Sequence, residues 1–371
     1  MVQSGDPEIL IVGGGPAGLS TWLHLHHEDR GLAAATLLIE KATYPRDKVC
    51  AGGIIPEADR VLRDLRIELP ISSVLVRNVD YVLGDRRLRS RRGFRVVRRV
   101  EFDHALARVA VKRGLTLHEE ESFRRFERNR DQLLVETSKA QYRVRVLVGA
   151  DGALSSVRRL MDLREGNQRI SRALEVVTPS SREDAFHSDS GTAVLDFTPT
   201  AKGVQGYIWD FPCLVAGMPS HNRGIYDSGM SAVHPPVRLS PIFANSLREE
   251  SPTQKRCWLG HPGRWFAADG IYAQPNVLLV GDAAGAEPLI GEGISCALRY
   301  GQLAAHYLVE SFRRADLSFN DYRESLLISP LAIALISQTI AARELYRPGP
   351  DQQTRLYRYL SRQMQAVPLS T

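Results

Sequence analysis

A glycine run directly after a short apolar segment constrains this chain more than any other feature. Residues 8–12 form a β-branched apolar stretch, which predicts a strand. The next residues are Gly13-Gly14-Gly15-Pro16-Ala17-Gly18, after which Leu19, Trp22, Leu23 and Leu25 recur at helical spacing. In such a strand–turn–helix unit, Gly13 allows the tight turn, Gly15 lets the backbone approach a pyrophosphate, and Gly18 lets helix and strand pack closely. The free amides at the start of the helix attract anions.

A second predicted strand, residues 35–39, ends in Glu40, 22 positions beyond Gly18. A carboxylate at that place can accept hydrogen bonds from both hydroxyls of an adenosine ribose. The combination predicts a dinucleotide-binding unit. The alternative interpretation is a glycine turn that binds no ligand.

Two later strands carry acidic residues at their ends. Residues 144–148 lead into Gly149-Ala150-Asp151-Gly152, and residues 276–280 lead into Gly281-Asp282. A segment with Pro288, Gly291, Gly293 and Ile294 then precedes an amphipathic helix predicted over residues 295–312. Amides at that helix start can stabilise the negative charge that a reduced flavin carries at its N1–C2=O edge.

Together these motifs resemble the FAD-dependent oxidoreductases of the para-hydroxybenzoate-hydroxylase fold, which include aromatic monooxygenases, flavin-dependent halogenases and geranylgeranyl reductases. The motifs extend over residues 8–312. The resemblance implies an α/β fold: a Rossmann-like FAD-binding domain with an inserted substrate domain of mixed or antiparallel sheet, and C-terminal helices. The residues expected to hold FAD are Gly13, Gly15, Pro16, Ala17, Gly18, Glu40, Lys41, Arg46, Arg99, Asp151, Gly281, Asp282, Pro288, Gly291, Gly293 and Ile294.

Two further stretches are similar to the geranylgeranyl reductase and halogenase branch. One is Tyr44-Pro45-Arg46-Asp47-Lys48-Val49-Cys50-Ala51-Gly52-Gly53, and the other is Gly206-Tyr207-Ile208-Trp209-Asp210-Phe211-Pro212. The branch also matches the helix that starts near Arg99, and it implies that Arg99 reaches the FAD phosphates or ribityl chain.

Cys50 and the three alternating rings of the second stretch are candidate reaction residues. Cys50 is either a redox or proton-transfer group or a small packing residue. Tyr207, Trp209 and Phe211 would share one face of a strand, where they either line a flat substrate cavity or fill the core. Pro212 is expected to end that strand.

The expected domains are discontinuous. Residues 5–70, 98–165 and 265–315 would form the FAD-binding domain, residues 71–97 and 166–264 the substrate domain, and residues 316–371 a C-terminal helical segment. The C-terminal helices are expected to be interrupted at Pro348-Gly349-Pro350.

Charge and composition limit the partners. The formal net charge is +6, and eight arginines cluster between Arg86 and Arg99. Aromatic residues do not alternate with these arginines as in a base-stacking surface, so nucleic acid is not expected. The cluster is either a solvated strand pair or a docking site for an anionic molecule or an acidic polypeptide. The ten histidines show no metal spacing, and His24, His26 and His27 are expected to be exposed on the first helix.

The remaining features favour a cytoplasmic protein. Cys50, Cys213, Cys257 and Cys296 are far apart and form no C-x-x-C pair, which suits a reducing compartment. No signal peptide is predicted at the start of the chain. The apolar run over residues 326–336 is too short to span a bilayer, although peripheral membrane contact stays open. The last three cysteines are interpreted as packing residues.

The favoured activity is reduction of a carbon–carbon double bond in an apolar, isoprenoid-like substrate by reduced FAD. The alternative is a monooxygenase that hydroxylates an aromatic ring through a C4a-hydroperoxide, the ring being a small phenol or an indole in a partner polypeptide. Halogenation is disfavoured because residues 77–99 contain no lysine. A non-catalytic flavin-binding assembly factor is a further alternative. No second dinucleotide fingerprint occurs, so NAD(P)H would bind transiently, or a protein would deliver the electrons.

Overall fold

The computed structural model describes residues 6–161, 170–181, 191–231, 237–247 and 258–365. Its strands are β1 (Ile9–Val12), β2 (Thr36–Ile39), β3 (Gly53–Ile54), β4 (Ser73–Val76), β5 (Asn78–Leu83), β6 (Arg86–Ser90), β7 (Phe94–Val97), β8 (Thr116–His118), β9 (Phe123–Asn129), β10 (Gln132–Thr137), β11 (Gln141–Val144), β12 (Val146–Gly149), β13 (Ile170–Pro179), β14 (Thr192–Asp196), β15 (Gly206–Val215), β16 (Met218–Asp227), β17 (Leu259–Arg264), β18 (Ala273–Gln274) and β19 (Val277–Leu279). Its helices are α1 (Pro16–Glu28), α2 (Arg30–Ala34), α3 (Pro56–Asp64), α4 (Arg99–Lys112), α5 (Ser156–Leu160), α6 (Leu239–Ser246), α7 (Ile294–Arg314), α8 (Tyr322–Leu327), α9 (Pro330–Leu345) and α10 (Gln352–Gln365). Single 3₁₀ turns lie at Thr198–Lys202 and Gly281–Ala283.

The first sheet brings the sequence motifs together. Its strand order is β18-β19-β12-β1-β2-β8, and every pair is parallel except β18 with β19. Parallel strands end at the same edge of a sheet, so Gly13, Glu40, Asp151 and Asp282 all follow strands that finish there. Strand β1 is buried along its whole length, as its central position requires. The predicted Rossmann-like unit is confirmed.

A second, seven-stranded sheet has the order β17-β13-β16-β15-β14-β5-β6. Its neighbours are antiparallel except for the parallel pair β14 and β5. This confirms the expected mixed sheet. Two three-stranded sheets, β11-β10-β9 and β3-β7-β4, complete the β structure of the described chain. The exact domain boundaries stay a prediction.

The helices pack around the first sheet and then continue beyond it. Helices α1 and α7 lie against each other. Gly301 of α7 is at their contact, where a Cβ on residue 301 would lie only 2.5 Å from Ser20 Cβ. The predicted C-terminal helices are present as α8, α9 and α10, with the chain interrupted between α9 and α10 as expected. No helix in the described part of the chain is both long enough and apolar enough to cross a bilayer.

Two expectations about local structure are wrong. His24 is buried, not exposed, because α1 packs on more than one side, and its ring makes a 2.8 Å hydrogen bond with the Ser20 carbonyl. Strand β15 also continues through Pro212 to Val215. Beyond Asp210 this strand has β16 as its one neighbour, so the missing proline amide can face the open side.

Candidate active site

A cavity of about 1250 Å³ is lined jointly by residues that follow strands of the first sheet and by residues of the mixed sheet. The predicted cofactor residues on its wall are Gly13, Gly15, Pro16, Ala17, Glu40, Lys41, Arg46, Arg99, Asp151, Asp282, Gly291, Gly293 and Ile294. Cys50, Tyr207, Trp209 and Phe211 lie on the same wall. Gly18, Gly281 and Pro288 are not among its lining residues. The structure therefore brings the predicted residues to one place, while their individual roles stay predictions.

The three glycines of the first turn have separate structural reasons. Gly13 has a φ of +107°, and a Cβ there would lie 2.5 Å from the Ala150 oxygen. A Cβ on Gly18 would lie 2.1 Å from the Gly13 oxygen. A Cβ on Gly15 would meet nothing within 4 Å. Gly13 and Gly18 are thus required by packing, whereas Gly15 keeps space open in front of α1.

A network of charges fixes the region beside this turn. Glu40 Oε2 accepts a 2.9 Å hydrogen bond from the Gly14 amide and lies 3.3 Å from Arg46. The other side of the Arg46 guanidinium contacts Asp103 at 3.1 Å. Asp103 is fully buried and also binds Arg99 through two bonds of 2.7 and 2.8 Å. The two arginines are therefore positioned on the cavity wall before any ligand binds.

The two acidic residues at distal strand ends differ in their surroundings. Asp151 Oδ2 accepts the Ser156 amide at 2.6 Å and so caps α5, and burial raises the pKa of Asp151. Burial also raises the pKa of Asp282, against the opposing effect of the positive charges on Lys48 and Arg99. Gly281 has a φ of +60°, and its turn packs so closely on α1 that a Cβ there would lie 2.6 Å from Ala17 Cβ.

The aromatic residues form the mixed-sheet side of the cavity. Tyr207, Trp209 and Phe211 alternate along β15, and all three are buried yet contribute to the cavity wall. The Phe94 ring lies 5.2 Å from the ring of Phe211 and extends this surface. The two interpretations of these rings are therefore both partly right, because the rings belong to a hydrophobic cluster and also border the cavity.

Cys50 is held by the mixed sheet. Its amide donates to Glu175 Oε2 at 2.5 Å, and its carbonyl accepts from Asn222 Nδ2 at 3.1 Å. Burial raises the pKa of the Cys50 thiol, although the neighbouring Arg99 charge opposes this. The thiol is therefore protonated at neutral pH, which favours a proton-transfer role over a thiolate role. A catalytic function for Cys50 stays a prediction. Cys213 and Cys296 are buried, and Cys257 lies outside the described residues.

Sequence reasoning missed a half-buried pair on the cavity wall. Lys48 Nζ lies 2.8 Å from His261 Nε2, although the residues are 213 positions apart. Burial lowers the pKa of Lys48, and it lowers the pKa of His261 to about 3, with the Lys48 and Arg99 charges acting in the same direction on His261. His261 is therefore neutral, and its Nε2 can accept a hydrogen bond from Lys48 Nζ. Glu175 was also missed. Lys48 lies within the Tyr44–Gly53 stretch, whereas no local pattern marks Glu175 or His261.

The arginine cluster is largely paired within the chain. Its contacts are Arg86 over the Tyr357 ring, Arg87 and Arg89 with Asp80, Arg92 with the Gln363 carbonyl, Arg95 with Asp59, and Arg99 with Asp103. Arg86, Arg87 and Arg89 also project from the exposed edge strand β6. The solvated-strand interpretation accounts for Arg86, Arg87 and Arg89, whereas Arg99 is buried at the start of α4, and nothing supports a polypeptide partner at the cluster.

The donor set of the cavity fits FAD. Arg46 Nε and Asp151 Oδ1 are buried and lack hydrogen-bond partners within the described chain, and both residues line the cavity. Ribose hydroxyls and phosphate oxygens would satisfy such groups. The volume exceeds the roughly 300–1,000 Å³ of a usual ligand pocket, so it has room for a cofactor and a substrate. Among the described residues, no group of three or more His, Cys, Asp or Glu side chains is placed to hold a metal ion.

The fold and the cavity define a FAD-dependent oxidoreductase of the para-hydroxybenzoate-hydroxylase type. The family model described as FAD binding domain matches residues 6–318, and the chain belongs to that family.

Two curated relatives are similar over most of this chain. A conditioned medium factor receptor 1 from Dictyostelium discoideum is 25% identical over 341 residues, covering 84% of this chain. This chain spans 65% of that relative's length. A menaquinone reductase from Mycobacterium tuberculosis is 26% identical over 339 residues, covering 81% of this chain and 76% of the relative.

Two solved structures share the fold. A geranylgeranyl bacteriochlorophyll reductase-like protein from Thermoplasma acidophilum has a TM-score of 0.79 at 20% identity, covering 98% of this chain and 93% of the other. A p-nitrophenol 4-monooxygenase from Pseudomonas putida has a TM-score of 0.71 at 16% identity, covering 98% and 95%. At these identities the likeness is one of fold.

Proposed function

We propose that this protein reduces a carbon–carbon double bond in an apolar, isoprenoid-like substrate, with FAD as its cofactor. The observation that carries the proposal is the wall of Tyr207, Trp209 and Phe211, which borders the same cavity as the predicted cofactor residues. A flat apolar surface next to the cofactor suits an unsaturated hydrocarbon chain better than a small charged substrate. One curated relative is named a menaquinone reductase, and this name supports a reduction rather than a hydroxylation as the proposed reaction.

The residues of the chain have separate tasks in this proposal. The first glycine turn, Glu40 and Arg46 hold the adenosine and phosphate end of FAD. When bound and reduced, FAD supplies a hydride. The Cys50 thiol, protonated at the cavity wall, donates a proton to the second carbon of the double bond and regains one from solvent. Hydride and proton together add two hydrogens.

Electrons must reach the flavin from outside the chain. We propose NAD(P)H, bound transiently, or a reduced protein as the donor, and the cytoplasm as the place of work. Peripheral contact with a membrane is compatible with an apolar substrate.

The test is an oxygen-free single turnover. The FAD-loaded protein is reduced with dithionite and mixed with polyprenyl alcohols of different chain length, whose carbon–carbon double bonds are their only reducible groups, while the oxidised-flavin absorption band is followed. We expect the band to return with at least one of these substrates. If the flavin stays reduced with all of them, the proposal is wrong.

A matched pair of variants locates the reacting surface. Phe211→Asp places a charge in the aromatic wall, whereas Met218→Asp changes an exposed side chain in the neighbouring strand. We expect Phe211→Asp to abolish reoxidation by the polyprenyl substrate but not by ferricyanide, and Met218→Asp to react like the parent protein. Equal behaviour of the two variants would place the substrate elsewhere.

The alternative function is that of a monooxygenase. The aromatic wall could also bind an aromatic substrate, and a solved monooxygenase shares the fold of this protein. It predicts that substrate consumption requires dioxygen and that anaerobic turnover is absent. The same single-turnover experiment, repeated with air, distinguishes the two.

A further inference from the structure

The polar ends of two aromatic side chains on the cavity wall are bonded to two loops of that wall, Tyr207 directly and Trp209 through Asn222. We call residues 46–53 the cysteine loop and residues 287–293 the glutamate loop. Both loops contribute to the cavity wall, the first through Cys50 and the second through Gly291 and Gly293. The mixed sheet binds both loops, and Tyr346 at the end of α9 also binds the glutamate loop.

Three tyrosines hold the glutamate loop by its backbone. Their hydroxyls donate to three consecutive carbonyls: Tyr226 to Pro288 at 3.0 Å, Tyr346 to Leu289 at 2.5 Å, and Tyr207 to Ile290. All three tyrosines are buried, and Tyr346 is completely inaccessible. Buried hydroxyls and carbonyls without partners are costly, so these bonds fix the loop in one position.

A carboxylate holds the amides of the same loop. Glu287 accepts from the amides of Leu289, Ile290 at 3.0 Å and Glu292 at 3.2 Å. Its side chain is buried, so water does not replace these bonds. The loop is therefore bound on its carbonyl side by the tyrosines and on its amide side by Glu287.

The cysteine loop is held by a relay from the same strand, β15. Trp209 Nε1 donates to Asn222 Oδ1 at 2.8 Å, and Asn222 Nδ2 donates to the Cys50 carbonyl at 3.1 Å. Glu175 accepts the Cys50 amide from the other side. Trp209 and Asn222 are 4% and 2% exposed, so this relay is also closed to solvent.

Tyr207 and Trp209 thus have two contacts each: a ring edge on the cavity and a polar atom bonded toward a loop. We infer that Tyr207, Tyr226, Tyr346 and the Trp209–Asn222 pair are positioning residues, which fix the two loops on either side of bound FAD and thereby set its reduction potential. The inference concerns the cofactor alone and holds whether the reaction is a reduction or a hydroxylation.

The direction of the effect follows from the amides of Gly291, Gly293 and Ile294, which line the cavity at the start of α7 and are not the amides that Glu287 binds. Amides held toward a flavin stabilise the negative charge of its reduced form. A loosened loop stabilises that charge less, so the reduction potential falls. Tyr346 is the most informative position because it binds the loop without lining the cavity, and so touches neither substrate nor flavin.

The experiment measures the FAD reduction potential of the holoprotein without substrate or donor, by reduction against a reference dye. We expect Tyr346→Phe to weaken binding of reduced FAD relative to oxidised FAD about tenfold, a fall of about 30 mV for a two-electron couple. Tyr357→Phe is the matched control, because that ring faces Arg86 and its hydroxyl binds nothing in the described chain. Thermal melting of both variants verifies folding.

Trp209→Phe provides the equivalent test of the cysteine loop, since it keeps a ring and removes the Nε1–H donor. Its control is Trp22→Phe, which removes an indole donor that binds the Ala33 carbonyl and does not line the cavity. A lowered potential in Trp209→Phe and an unchanged one in Trp22→Phe supports the inference for this loop. If Tyr346→Phe and Trp209→Phe both match their controls, the inference is wrong. Neither result depends on the proposed substrate, so failure of one proposal is separable from failure of the other.

Discussion

Glu175 should make the stability of this protein depend on pH in a way that one substitution removes. Its side chain is 4% exposed, and burial raises the pKa of the carboxyl from 4.5 to about 7, although the Cys50 amide and the charge on Arg98 oppose this. Folding therefore favours the protonated acid. The stabilisation is fully present below about pH 4.5 and is lost as the pH rises through about 7.

The size of the effect follows from that difference in pKa. At about 1.4 kcal/mol for each pKa unit, the change from 4.5 to about 7 corresponds to about 3 kcal/mol of unfolding free energy. Glu175→Gln keeps the shape and an acceptor for the Cys50 amide but does not ionise. The variant should match the parent near pH 4 and exceed its stability by up to about 3 kcal/mol near pH 8.

The assay is urea unfolding of the FAD-loaded parent and variant at both pH values. Other buried acids contribute to the parent's pH dependence, and comparing the two proteins at each pH cancels those contributions. Glu68→Gln, at an exposed position, is the control and should show the same stability difference at both pH values. If Glu175→Gln also shows a constant difference, Glu175 is ionised in the folded protein and the reasoning fails.

Two further predictions concern residues of the cavity wall. Gly15→Val should leave the free energy of unfolding unchanged, because a side chain at Gly15 meets no protein atom, but it should reduce FAD affinity at least about tenfold, because that side chain would fill space kept open for the cofactor. Gly18→Ala should instead lower the free energy of unfolding by about 1–3 kcal/mol, because its Cβ would lie 2.1 Å from a carbonyl oxygen. Calorimetry measures the stability of each variant, and FAD titration measures its affinity for the cofactor. If both variants lost FAD affinity equally and neither lost stability, the separate roles given to Gly15 and Gly18 would be wrong. Lys48→Met should raise the pKa of His261 from about 3, though not to its ordinary 6.5, because burial is the larger cause. Histidine NMR measures this, and an unchanged pKa would mean that the pair does not interact.

The cofactor region could be predicted from sequence because its signals are local. Each glycine or acidic residue directly follows a strand, and parallel strands necessarily place their ends together. The turn at Gly13 and the acidic ends at Glu40 and Asp282 needed no knowledge of distant contacts.

The reaction side could not be predicted in the same detail. Glu175 meets Cys50 across 125 positions, and Lys48 meets His261 across 213. Neither distant partner carries a pattern of its own. The role of the tyrosine at 346 was equally hidden, because its hydroxyl partner is a backbone carbonyl that any residue could provide.

Two expectations were wrong because they ignored the tertiary neighbours of an element. One concerned the exposure of His24 on α1, and the other concerned the end of strand β15 at Pro212. His24 lies between Leu23 and Leu25, and packing on several sides of α1 buries it. Pro212 usually marks a strand end, but β15 there has a free side that tolerates the missing amide.

The central claim is that this cavity adds hydrogen, not oxygen, to an apolar double bond. The most direct measurement is the mass of the product formed by the dithionite-reduced holoprotein and a polyprenyl substrate under nitrogen. The account predicts a product heavier by two hydrogen atoms, formed without air. A product that appears only in air and is heavier by one oxygen atom would contradict it.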